Sequence, residues 1–67
     1  MEKNIRDILL DINSHLEVNG YVNRFEIVEI YDNLMLIDYY GEIATVKSWR
    51  EMYPIVFGIR TGIRGKF

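Results

Sequence analysis

A chain of 67 residues carries one domain at most, because a polymer this short hides only about 60% of the surface it exposes when unfolded. Its 49% hydrophobic and 27% charged content belongs to a chain that folds. No apolar run approaches the roughly 20 residues that span a bilayer, and the lack of cysteine excludes disulfides and cysteine-based zinc sites. The net charge of −2 hides a segregation: residues 1–46 hold nine acids and three bases, residues 47–67 five bases and one acid.

The first element is a helix from Asn4 to Val18. Ile5, Ile8, Leu9, Ile12 and Leu16 recur every three or four residues and so fall on one face. Asn4 is the expected cap, Asp7 suits the positive end of the helix dipole, and Asn19-Gly20 supplies a left-handed stop. Acids at positions 7 and 11 do not fit a signal peptide, so the expected location is cytoplasmic.

Phe25 to Tyr31 is aromatic and β-branched, hence a strand, with the adjacent Ile27 and Val28 breaking its alternation. Asp32-Asn33 is placed as a tight turn, Leu34 to Tyr40 as the returning strand, Gly41-Glu42 as a second turn and Ile43 to Lys47 as a third strand. Ser48-Trp49-Arg50-Glu51 matches a capping box, and Pro54 is expected to limit the helix it opens to about one turn. Ile55 to Ile59 then reads as a fourth strand, with Gly58, Gly62 and Gly65 opposing regular structure and residues 60–67 a mobile basic tail. The fold class is α+β: one domain over 1–67, a long helix on a three- or four-stranded antiparallel sheet, with a helical turn before the last strand.

Chemistry is sparse. His15 is the single histidine, and Asp11 four residues earlier makes an ion pair or a solvated histidine the plainer reading than a general base. No third metal ligand is fixed by spacing, and too little chain follows Gly65 for a helix to complete a phosphate-binding loop. The expectation is therefore no enzyme, no cofactor and no metal.

Binding residues are easier to nominate. Tyr39 and Tyr40 are adjacent, so a sheet covered on one side leaves at least one of them in water. Trp49 and Tyr53 share one face of the short turn, either as core or as contact residues. Glu26, Glu29, Asp32, Asp38 and Glu42 form an acidic face around the hairpins. Together these nine residues predict a non-catalytic module that binds another protein. Ten isoleucines and five asparagines against one alanine imply an AT-rich coding sequence. With the acidic face, that extends the reading to an accessory protein of a bacterium or phage that inhibits a nucleic-acid-handling enzyme. The alternative is a nucleic-acid-binding protein that uses Arg60, Arg64 and Lys66, with a salt slope of about −2.7 for three phosphate contacts. Those bases equally neutralise the chain's own acids. A homodimer is a further expectation, because the core is small and a sheet edge stands open.

Overall fold

The computed structural model describes residues 1–66. The elements are α1 (Glu2–Val18), β1 (Glu26–Ile30), β2 (Asn33–Asp38), β3 (Gly41–Val46) and α2 (Trp49–Lys66). The α+β class and the three-stranded antiparallel sheet hold; the fourth strand and the short helical turn before it do not form.

The apolar stripe of α1 lies where its periodicity places it. Ile5, Ile8, Leu9, Ile12 and Leu16 are all buried. The helix opens earlier than expected, with Met1 at the cap, and Asn4 sits inside its first turn. Its end follows the expected stop. Gly20 takes φ +81°, its N–H donates to the Glu17 carbonyl at 3.1 Å, and the Tyr21 N–H donates to the Leu16 carbonyl at 2.9 Å. That pair of bonds is a Schellman motif, which satisfies carbonyls the helix itself leaves open.

A polar residue on this buried face anchors the next segment. Asn13 is 8% exposed; its Nδ2 donates to the Phe25 carbonyl at 3.0 Å, and the Phe25 N–H donates to its Oδ1 at 2.8 Å. The amide thus replaces a strand partner for Phe25, one residue before β1 begins.

The strands form a meander in the order β1-β2-β3, antiparallel throughout. The first hairpin turns at Tyr31-Asp32, one residue earlier than the expected Asp32-Asn33, and the positive φ of 55° falls on Tyr31. A fully exposed tyrosine there gains no packing to offset a left-handed backbone. Tyr31→Gly is therefore expected to stabilise the fold by about 0.5–1 kcal/mol, after allowing for glycine's greater entropy loss on folding; an unchanged or lower urea midpoint contradicts this. The second hairpin turns at Tyr39-Tyr40 rather than at Gly41-Glu42. Gly41, at φ +127°, instead pairs with Asp38 to open β3. A bulge interrupts β2–β3: Leu36 pairs with Ala44 and Ile37 with Glu42, so Ile43 is the inserted residue.

The largest correction concerns the C-terminal third. Ser48 does start a helix: its Oγ accepts from the Glu51 N–H at 3.2 Å, and Glu51 Oε2 accepts from the Lys47 N–H at 2.9 Å, one residue before the usual capping-box partner. The helix does not stop after one turn. It runs through Pro54 for 18 residues to Lys66, so neither the short helical turn nor the fourth strand at Ile55 to Ile59 exists. Met52 and Val56, four apart and both fully buried, bracket the proline on the core side, with Trp49, Ile59 and Ile63 packed against the same core. Pro54 itself is exposed, as are Gly58, Thr61 and Gly65 at helical spacing along the opposite face. The Arg50 carbonyl, which the proline cannot pair with, belongs to an exposed residue, where water can hydrogen-bond it. Burial of one face thus outweighs the local preferences of proline and glycine. Residues 60–66, expected as a tail, are the last turns of α2; Phe67 lies outside the described residues.

Both helices lie on one side of the sheet. Leu34 and Leu36 point from β2 into the shared core, with Ile27 and Val46 beside them. Trp49 stacks under the Arg6 guanidinium, 5.0 Å away, near the start of α1, while Ile63 and Leu16 line a common cleft near the ends of the two helices. The helices therefore run in the same direction, joined at the surface by Arg64 and Asp11 at 2.6 Å.

Candidate functional site

Alternation along β2 decides what the sheet presents to solvent. Leu34 and Leu36 face the helices, so Met35 and Ile37 face away, and cross-strand partners share a face. Register then sets Val28 and Thr45 beside Met35, and Glu26 and Glu42 beside Ile37. The outer face is thus an apolar centre of Val28, Met35 and Ile37 with two carboxylates at one end, and no element of the described residues covers it.

At that same end stands the Tyr39-Tyr40 turn. The two rings are 71% and 82% exposed and meet edge to face, with centroids 5.4 Å apart. Tyr39 and Tyr40 were expected to end a strand with at least one ring outside; they form the turn instead, and both are outside. Their backbone is held from two directions. The Tyr40 N–H donates to Asp38 Oδ1 at 2.8 Å, and the Tyr39 N–H donates to Asn23 Oδ1 at 2.9 Å. Asn23 also accepts from the Arg24 N–H at 3.0 Å and donates to Asp38 Oδ2 at 3.4 Å. A segment just before β1 therefore fixes the tip of the β2–β3 hairpin. Between them a cleft of about 240 Å³ is lined by Val22, Arg24, Glu26, Ile37, Asp38 and Tyr39.

The nine nominated residues do not form one surface. Tyr39, Tyr40, Glu26, Asp38 and Glu42 gather at this corner. Asp32 lies at the opposite end of the meander, in the first hairpin turn. Glu29 is cross-strand partner to the buried Leu34, so it stands on the helix side, with its carboxylate 3.9 Å from Arg6. Trp49 and Tyr53 are half-buried against the core, Tyr53 stacking on Phe57 at 5.9 Å. Sequence reasoning missed Asn23 and Asn13, whose partners are 12 to 16 residues away along the chain.

Charge is divided between the sheet and α2. Residues 26–46 contain five acids and no base, whereas 49–66 contain four bases and one acid. Two of the bases nominated for nucleic acid have partners within the fold: Arg64 pairs with Asp11 at 2.6 Å, and Arg60 lies over the Phe57 ring at 4.9 Å. Lys66 lines a separate cleft with Tyr21, Tyr40 and Ile63. Asp11 is thus directed to Arg64, on the neighbouring helix, and not to His15. Among the described residues, no helix is long and apolar enough to cross a membrane, and no three acidic or histidine side chains converge as metal ligands would.

Comparison with protein families, with curated proteins and with solved structures finds no match to this chain.

Proposed function

We propose that this chain is a non-catalytic protein-binding module whose contact surface is the outer sheet face together with the Tyr39-Tyr40 turn. The observation that carries this reading is the turn itself: two exposed aromatic side chains on a backbone held in advance by Asn23 and Asp38, beside a half-buried apolar patch on the outer sheet face. Aromatic residues dominate binding energy at protein interfaces, and a contact ordered beforehand loses less entropy on association. The uninterrupted acidity of residues 26–46 suits a partner with a basic rim around an apolar centre. Proteins that handle nucleic acids carry such surfaces, so occupying one in place of phosphates would make this chain an inhibitor.

The test is affinity capture from nuclease-treated lysate, followed by measurement of each retained protein. Tyr39→Ala with Tyr40→Ala is expected to weaken specific binding by about 30-fold or more, and Met35→Glu is expected to act in the same direction. Arg60→Ala with Arg64→Ala should leave it intact. Binding that is abolished by nuclease, falls steeply with salt and depends on Arg60, Arg64 and Lys66 would instead favour a nucleic-acid-binding protein.

A further inference from the structure

The two edges of the sheet are guarded unequally. β3 carries the bulge at Ile43, a device that bends an edge away from further pairing. β1 keeps unbroken register from Glu26 to Ile30 and contains no lysine, proline or glycine. Beside this edge runs an open groove of about 400 Å³ between α1 and β1, lined by Leu9, Phe25 and Ile27 on its apolar side and by Arg6 and Glu26 on its polar side. Leu10 stands at the groove 61% exposed, off the buried stripe of its helix, with no element of the described residues packed over it.

The surface of α1 around Leu10 is complementary to itself. At about 100° per residue, Lys3, Arg6, Leu10, Ser14 and Glu17 share an arc of about 80°, and all five are exposed. Lys3 is two turns before Leu10 and Glu17 two turns after it. A second α1 crossing antiparallel at Leu10 therefore sets Lys3 of each copy against Glu17 of the other. The same two-fold axis passed through Val28 of β1 sets Glu26 opposite Ile30 and Ile27 opposite Glu29, so no carboxylate directly faces another. A two-fold interface requires this kind of self-complementarity.

We propose that two copies of this chain pair β1 to β1, antiparallel about Val28, joining two three-stranded sheets into one. Leu10 of each copy closes the groove beside the new strand pair, and Lys3 and Glu17 form the rim. The outer face and the Tyr39-Tyr40 turn remain open, so the dimer displays two copies of the corner described above.

The experiment is sedimentation equilibrium of the full chain across a concentration series, with circular dichroism as the check on folding. Wild type is expected to dimerise. Leu10→Lys, at an exposed position, is expected to keep the wild-type spectrum and weaken association by about tenfold or more. Lys3→Glu and Glu17→Lys should each weaken it, and the double exchange should restore it. Amide exchange provides the independent reading, since β1 amides should become protected as concentration rises. A monomer at every concentration up to about 1 mM would overturn the proposal. So would a dimer that Leu10→Lys and the charge exchanges leave unchanged and in which β1 amides stay unprotected.

Discussion

Asn13→Ala is expected to lower the stability of the fold by about 2–4 kcal/mol, because it strips two buried backbone groups of their partner at once. The Phe25 N–H and carbonyl are both bonded to the Asn13 amide, and Phe25 is only 8% exposed, so water does not readily replace the lost bonds. A domain of this length has a total stability of about 3–10 kcal/mol, so the variant should sit close to unfolding at room temperature. Asn13→Asp separates the two halves of the clamp: it keeps an acceptor for the Phe25 N–H, removes the donor to the Phe25 carbonyl and places a carboxylate against it. It should recover little. Urea denaturation measures both variants, and a loss below about 0.5 kcal/mol, the range of ordinary surface changes, would show that the clamp is dispensable.

Pro54→Ala is expected to act in the opposite direction. Within a helix, proline is about 3 kcal/mol less favourable than alanine, while its rigidity restrains the unfolded chain by up to about 1 kcal/mol. The net expectation is a gain of about 2 kcal/mol, because alanine restores a donor for the Arg50 carbonyl on an exposed face of the helix. For a domain of this size that raises the melting temperature by about 8–16 °C. If the midpoint falls or stays level, the proline is fixing a bend on which the packing of Met52 and Val56 depends.

The same proline explains where the sequence misled. α1 was readable because its stripe of Ile5, Ile8, Leu9, Ile12 and Leu16 met no contrary signal. The meander was readable because two turn-forming stretches divided three apolar runs, although each turn was placed a residue or two late. In α2 the periodic signal was present in Met52, Val56, Ile59 and Ile63. Pro54 and the glycines carry a contrary local signal, but they oppose a helix only where the chain has nothing to gain by forming one. Pro54, Gly58 and Gly65, three of the four glycine and proline positions that oppose a helix, fall at the spacing of the solvent face, and that pattern is itself helical.

The candidate corner was half readable. Exposure of a tyrosine at position 39 or 40 followed from the apolar pattern, and the acidity of the hairpins from composition. The turn's support did not, because Asn23 reaches it across the fold and no local rule links residues 16 positions apart. Trp49 and Tyr53 were ambiguous for the reason that applies to aromatic residues generally: the same ring serves a core or an interface, and only the surroundings decide.

The division of charge between the sheet and α2 has a kinetic consequence. With the sheet uniformly negative and α2 net positive, the molecule has an electric dipole across its thickness. In the field of a highly charged body it rotates before it touches, presenting the sheet to cations and α2 to anions. Encounter is thus already oriented at a separation of about 8–10 Å in physiological salt, and added electrolyte would slow the approach far more than it hastens the departure.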